Sequence, residues 1–382
     1  MKRRILFLLS GVCLFLACQA HKEQAPLVLF ENGTENYNCY RIPAIVKAPD
    51  GSLLAFAEGR LENCGDFGNV DILLRRSEDG GKNWSTMEVV ADFGALQAGN
   101  PAPVVDYFDS DYPQGRIFLF YNTGDVSEQD MRLGKGTREV HYITSIDQGK
   151  TWSKPTNISE QVHFNKTTTK GHLDWRTHAN TPGHALQFKR GTYQGRIYIP
   201  ANHSSGEPQD GFNEYRTYGF YSDDHGKTWS VSPNIEVPSS NEAIGTELPN
   251  GDLMLNIREQ NGKTKQRLVA LSSDGGASWK ETYFDPSLIT PVCQSSILLF
   301  EQKSQSLLIY SGPNSTDKRE KMTLKFSLDG GKSWVKEKEV YAGGAAYSDL
   351  VQVDEEQVGL FYEKEFKQLV YQVFTPKAIL SE

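Results

Sequence analysis

The sequence predicts an all-β fold: a six-bladed β-propeller of four-stranded antiparallel blades, carrying five Asp-Gly turns. Three observations predict it. The pattern S-x-D-x-G-x-x-W occurs five times, as SEDGGKNW (77–84), SIDQGKTW (145–152), SDDHGKTW (222–229), SSDGGASW (272–279) and SLDGGKSW (327–334). A turn followed by an apolar strand occurs six times in phase with it, as GSLLAFAEGR (51–60), GRIFLFYN (115–122), GRIYIPAN (195–202), GDLMLNIR (251–258), QSLLIYSG (305–312) and EQVGLFYE (356–363). About ten residues upstream of each lies a further β-rich segment: YRIPAIV (40–46), GNPAPVV (99–105), TPGHALQF (181–188), EAIGTEL (242–248), VCQSSILLF (292–300) and AYSDLVQV (346–353). Hairpins repeated at a spacing of roughly 50–80 residues, each leading into another apolar stretch, are the mark of radially arranged sheets. Long helical periodicity is absent.

The chain starts with a segment that does not belong to this fold. Lys2, Arg3 and Arg4 precede the apolar run Ile5–Ala17, short for a membrane span and right for an export signal. Leu16-Ala17-Cys18 resembles a bacterial lipoprotein cleavage box, with Phe15 where Leu is usual. The expectation is a signal peptide over 1–17, lipidation of Cys18, a linker over 18–26 and one domain over 27–382. Ordinary signal-peptidase cleavage, after Ala20 for example, is the alternative. The protein is thus expected outside a bacterial cytoplasm, as a periplasmic or surface lipoprotein or a secreted protein, touching a membrane only through the anchor. A monomer is expected.

The net charge of −8 argues against a nucleic-acid partner, which calls for a basic patch. Besides Cys18, the exported chain keeps Cys39, Cys64 and Cys293. Cys39–Cys64 is a candidate disulfide, and the odd count leaves one thiol over. No histidine or cysteine cluster has zinc spacing, so neither metal nor cofactor is expected. The eight histidines are scattered and read as ordinary polar residues.

The Asp turns are structural devices. Asp bonds backbone N–H groups within its own turn, Gly accepts positive φ, and Trp buries a large apolar face. Chemistry is expected elsewhere. In a hairpin, the start of the first strand and the end of the second share one edge. Read at those positions, the sequence places Arg41, Arg60, Asn100, Asn122, Glu242, Arg258, Gln294, Tyr347 and Glu363 around one mouth of the propeller. Arginines at equivalent places in different blades suggest an anion site.

Here a family resemblance becomes specific. YRIP at 40–43 resembles the Arg motif, usually Phe-Arg-Ile-Pro, that opens the bacterial exo-α-sialidases with Asp-box repeats. EGR at 58–60 with Asp66, NEAIGTELPNGDLMLNIRE (241–259), PVCQSSILLF (291–300), REKMTLKFSLDGGKSW (319–334) and AYSDL (346–350) follow in the family's order, over roughly residues 27–375. The resemblance implies that Arg41, Arg258 and Arg319 hold the carboxylate of sialic acid. It implies that Asp66 is the acid/base, Tyr347 the nucleophile and Glu242 its partner. Arg60 and Asn100 would line the pocket near the 4-hydroxyl, and Gln294 is a further substrate-binding candidate. Asn100 stands where many bacterial members have Asp. Glu247 rivals Glu242, but five residues along a strand puts it on the opposite face. The implied substrates are sialylated glycans. The implied reaction is hydrolysis with net retention, through a covalent sialyl-tyrosine. Two other readings are a trans-sialidase, with Trp175 and Tyr283 as acceptor platforms, and a non-catalytic glycan-binding propeller. The second needs only the arginines, so Asp66, Glu242 and Tyr347 speak against it.

Overall fold

The structure, a computed structural model, describes residues 25–303 and 305–381. The expected signal peptide and Cys18 lie outside them. The regular structure of the described chain is almost entirely antiparallel sheet, with short helices such as Glu128–Arg132 and Pro376–Ser381 beside it. No described helix is long and apolar enough to cross a membrane.

All six hairpins form. They pair Cys39–Lys47 with Leu53–Arg60, Gln97–Asp106 with Arg116–Gly124, Trp175–Asn180 with Ile197–Ser205, Ser240–Glu247 with Leu253–Glu259, Ser296–Glu301 with Ser306–Pro313, and the second half of Lys336–Gln352 with Val358–Lys364. Successive hairpins touch in turn, mostly through their first strands, with Ile197–Ser205 and Leu186–Gln187 making the contact to Ser240–Glu247, and the last touches the first, closing the arrangement around an axis. Asp349 pins that axis. Its fully buried carboxylate accepts from the backbone N–H of Ile45 at 2.8 Å, the N–H of His184 at 2.9 Å and the Ser296 hydroxyl at 2.9 Å.

Two elements differ from the sequence reading. The segment 181–188 forms only a two-residue strand, Leu186–Gln187. Pro182 has no N–H to give a ladder and Gly183 sits at φ +113°, so Trp175–Asn180 supplies the main first strand of that hairpin. At the other end of the chain, Leu27–Glu31 pairs antiparallel with Gln368–Phe374. The last hairpin therefore receives its outermost strand from the N-terminus. No turn joins that strand to its neighbour, which explains five Asp turns for six hairpins.

Each Asp turn works as its residue types suggest. In the first, Asp79 Oδ1 accepts from the N–H groups of Lys82 at 3.0 Å and Asn83 at 2.9 Å, while Ser77 Oγ accepts from Gly81 N–H at 2.8 Å. Its Trp84 packs edge-on against Tyr371, and Trp152 and Trp229 do the same against Phe56 and Phe120. These tryptophans staple a turn to the preceding sheet.

The turns also set an acid limit. The Asn83 N–H and amide hold Asp79 down to about 2 from its ordinary 3.8, and the Ser333 hydroxyl and N–H hold Asp329 at about 2. At Asp147 burial pushes upward, yet the Thr151 hydroxyl and N–H still bring it to about 2. A carboxylate depressed in the folded state contributes stability that is complete above its unfolded pKa and is lost as pH falls through the folded one. The melting temperature is therefore expected to fall steeply between pH about 4 and about 2. Asp147→Asn with Asp329→Asn should melt lower at neutral pH and show a shallower fall. Parallel curves for the two proteins would refute this.

Candidate active site

A cavity of about 190 Å³ opens at the starts of the first strands. Arg41, Arg60, Asp66, Asn100, Glu242, Arg258, Arg319 and Tyr347 all line it. What aims four of these eight is a repeated backbone irregularity. In five of the six hairpins, two residues of the first strand oppose one residue of the second near the mouth. The doubled positions are 42–43, 100–101, 176–177, 241–242 and 346–347. Bulges of this kind turn side chains out of the ladder and often mark functional rims. Here they carry Asn100, Glu242 and Tyr347 into the cavity, and set Arg41 immediately before one. Asn100 takes φ +55°, a left-handed conformation that Asn tolerates.

The hairpin at Ser296–Glu301 has no bulge, and its ladder begins only at Ser296. Gln294 correspondingly does not reach the cavity. It is buried below, where its amide donates to Pro182 O at 2.8 Å and Ser348 O at 2.9 Å as part of the axial packing. Asn122 is buried and also off the lining. Glu363 stands behind the wall, accepting from Arg41 Nε at 2.9 Å, Arg41 Nη2 at 3.2 Å and the N–H of Ile42 at 3.1 Å.

The centre of the site is a compact polar group. The Tyr347 hydroxyl donates to Glu242 Oε1, and Arg258 Nη1 donates to the Tyr347 oxygen at 3.1 Å and to Glu242 Oε2 at 2.6 Å. The guanidinium carbons of Arg41 and Arg319 lie 5.1 Å and 5.7 Å from the Tyr347 ring centre. Only 6% of Tyr347 is exposed. Burial, and then the Glu242 charge, push its pKa well above 10, while Arg258, Arg319 and Arg41 pull the other way. The phenol is thus protonated, and its proton already faces a carboxylate. Glu247 lies at the far end of the same strand, in a separate cavity of about 590 Å³ at the opposite mouth, where it accepts from the N–H of Lys189 at 2.8 Å. Distance along the strand, rather than its face, removes it from the site.

Asp66 comes from the loop between Arg60 and Val70, and its side chain is 76% exposed over the mouth. A disulfide between Cys39 and Cys64 ties that loop to the strand bearing Arg41. Asp66 Oδ1 lies 2.8 Å from Arg60 Nη1 and 3.6 Å from Arg41 Nη1. The protein around the mouth partly desolvates this exposed carboxylate and would raise its pKa, but Arg60 and then Arg41 win and hold it low. Arg60 is itself fixed by Glu58, whose Oε2 accepts from Arg60 Nη2 at 2.6 Å and whose Oε1 accepts from Asn100 N–H at 2.8 Å. Sequence reading quoted Glu58 within EGR without giving it a task.

Sequence reading also missed Gln97, Glu128, Arg138, Thr177, His178 and Asn202, which line the same cavity. His178 packs beside another buried imidazole, His163, with ring centres 5.1 Å apart, and His203 is buried as well, a grouping that the scattered numbering concealed. Burial lowers His178 to about 3 and His203 to about 4, so both are neutral. Trp175, a platform that the trans-sialidase alternative would call on, is instead buried against His203, ring centres 3.6 Å apart. Tyr283 sits on the outer strand Glu281–Ile289, away from the cavity. Among the described residues Asp106, Asp109 and His225 approach as metal ligands would, but the Arg116 guanidinium sits on them, 2.9 Å from Asp109 and 3.7 Å from Asp106.

A family model described as a BNR repeat-like domain matches residues 51–361. A sialidase of Bacteroides fragilis is 30% identical over 375 residues, 91% of this chain and 64% of that protein. A sialidase of Micromonospora viridifaciens is 30% identical over 352 residues, 87% of this chain and 51% of that protein. The chain thus spans between half and two thirds of these two relatives. Among solved structures, a Hadza microbial sialidase matches with a TM-score of 0.80 and 26% identity, over 93% of this chain and 69% of that one.

Proposed function

The chain belongs to the BNR repeat-like domain family, and from that premise we propose that it is an exo-α-sialidase on a six-bladed propeller, exported from a bacterial cell. It removes terminal sialic acid from glycoproteins, glycolipids and oligosaccharides with net retention. The observation that carries the reading is the Tyr347 hydroxyl bonded to both Glu242 and Arg258, in a cavity that also holds Arg41 and Arg319.

Sialic acid bears its carboxylate on the anomeric carbon. Arg41, Arg258 and Arg319 offer that carboxylate planar donors which stay charged at any working pH. A carboxylate nucleophile would be repelled by the substrate's own charge. A neutral phenol is not, and sialidases are the recognised tyrosine-using exception among retaining glycosidases. Tyr347 oxygen attacks C2 as its proton passes to Glu242, and the glycosidic bond breaks as Asp66 protonates the leaving oxygen. Water then attacks C2, giving a proton to Asp66, while the Tyr347–C2 bond breaks and the phenol recovers its proton from Glu242. Two inversions give retention.

In the free enzyme Asp66 is held low by Arg60 and Arg41. The substrate carboxylate brings a negative charge to Arg41, offsetting that pull. Binding itself thus favours the protonated form the first step needs. The Cys39–Cys64 bond fits an oxidising compartment. The test is to follow sialyllactose hydrolysis by NMR. The expected first product is the α-anomer of the free acid, which later equilibrates. A β-anomer appearing first, or no release at all, would overturn the reading.

A further inference from the structure

The hairpin without a bulge carries a segment that the sheet does not hold. Its ladder begins at Ser296, so Val292, Cys293 and Gln294 run outside any strand. Buried backbone groups outside a ladder need other partners. Here side chains supply them. Arg319 Nη2 and Nε both donate to Val292 O, at 2.8 Å and 3.2 Å. Arg267 Nη1 donates to Cys293 O at 2.6 Å. Gln294 Oε1 accepts from Ser348 N–H at 2.9 Å, and its amide donates to Ser348 O at 2.9 Å. The Cys293 side chain packs with Ile42, Ala346 and Tyr347.

We infer that Arg267 is a positioning residue for Arg319: by fixing the Val292–Cys293 backbone, it sets the carbonyl that aims this arginine at the substrate carboxylate. The inference rests on the exo-sialidase reading. Its first ground is that the three arginines are not held alike. Glu363 Oε1 aims Arg41 at 2.9 Å, and Glu242 Oε2 aims Arg258 at 2.6 Å. Arg319 is aimed by Val292 O instead, which takes one edge of its guanidinium and leaves the Nη1 edge for the cavity it lines. A carbonyl lacks a carboxylate's charge, so this hold depends on where the carbonyl sits.

The second ground is the cost of Arg267 to the fold. It lies fully buried in the strand Gln266–Ser272, and its acceptors are neutral: Cys293 O, then Asn256 Oδ1 at 2.6 Å from Nε and Asn256 O at 3.2 Å from Nη2. Burial pushes its pKa down. A guanidinium buried against neutral groups costs more than an apolar side chain of like volume. What it supplies is a rigid fork. Asn256 Oδ1 also accepts from the Ser295 hydroxyl at 3.1 Å, so the fork and Asn256 together hold the segment at Cys293 and Ser295. Asn256 belongs to Leu253–Glu259, the strand that bears Arg258. The grip thus sets the Val292 carbonyl, and Arg319 with it, relative to Arg258.

Without Arg267, Gln294 still holds Ser348, and the Cys293 side chain still packs against Tyr347. The Val292 end is the part released. The nucleophile therefore keeps its place while Arg319 loses its aim. The substrate carboxylate needs Arg319 in the ground state and the transition state alike, so KM rises and kcat changes little.

The experiment measures kcat and KM on the 4-methylumbelliferyl α-ketoside of N-acetylneuraminic acid for Arg267→Met, Arg319→Ala and the double variant. Arg267→Met is expected to raise KM by about thirtyfold to a hundredfold, the scale of a misplacement of about 1 Å, with kcat within about threefold of native. The double variant should show a KM within about threefold of that of Arg319→Ala, because the group being aimed is gone, whereas independent effects would multiply. Arg267→Lys keeps the charge but not the fork, and should raise KM at least about tenfold. An unchanged KM in Arg267→Met, folded by its melting curve, overturns the inference. So do multiplying losses in the double variant, a fall confined to kcat, or native kinetics in Arg267→Lys, which would make charge rather than aim the contribution. Where Arg267→Met does not fold, Arg267→Lys carries the same cycle with Arg319→Ala. If neither folds, Arg267 holds the fold rather than the site, and the inference falls. No turnover by the folded native protein defeats the sialidase reading itself, and this inference with it.

Discussion

Tyr347→Phe is expected to lose catalysis by about a thousandfold or more on every sialoside, good leaving group or poor, because the atom that bonds C2 is gone. The ring remains, so the arginines keep their packing and substrate binding should change far less than turnover. The variant also leaves Glu242 with Arg258 as its charged partner, at 2.6 Å, so the carboxylate is not stranded. A merely structural tyrosine would behave differently: its loss would lower the melting temperature and alter both kinetic constants modestly. The decisive measurement is a fluorinated sialic acid that slows breakdown of the intermediate, followed by peptide mass analysis. The native protein should carry the label on Tyr347, and Tyr347→Phe should carry none. Label on Glu242, or a phenylalanine variant within about tenfold of the native kcat/KM, would overturn the assignment.

The features readable in the sequence are those whose physics is local. An Asp turn uses hydrogen bonds within five or six residues, so SEDGGKNW and its four relatives announce themselves. The hairpins are nearly as legible, since each strand meets its partner across a short turn. Leu27–Glu31 is different: it pairs with Gln368–Phe374, more than three hundred residues away, and five residues of apolar and acidic sequence give no hint of that partner. The rim argument placed Arg41, Arg60, Asn100, Glu242, Arg258 and Tyr347 at one mouth, and the structure brings them to one cavity. It failed at Gln294 because it took all hairpins as equivalent, while the bulge that turns a residue inward is missing from that one. A bulge belongs to two strands in register and cannot be read from either alone. The other lining residues were hidden for a similar reason. Arg138 opens a third strand, Glu128 lies on a short helix and His178 sits on a strand the sequence reading had assigned to its neighbour. Only the assembled ring puts them together.

Asp66→Ala should give a loss that depends on the leaving group, and this separates its role from that of Tyr347. A lactose alkoxide is a very poor leaving group and needs its proton. A coumarin phenolate departs readily without one. On sialyllactose the variant is expected to lose on the order of the hundred- to ten-thousand-fold that a positioned acid contributes. On an aryl sialoside the first step should lose far less. Breakdown of the sialyl-tyrosine then becomes limiting, because the base for water has gone with the acid, and a burst of phenolate should precede a slow steady state. The exposed position of Asp66, 76% open to solvent and tied down through Arg60, makes loss of the fold an improbable confounder. Removing it also frees Arg60 and Arg41 of a competing carboxylate, so substrate affinity should hold or improve while turnover falls. A burst with the aryl substrate, a steep loss with sialyllactose and an undiminished affinity are together the signature of a general acid/base. Equal losses on the two substrates would place Asp66 in binding, and the proton would have to come from elsewhere.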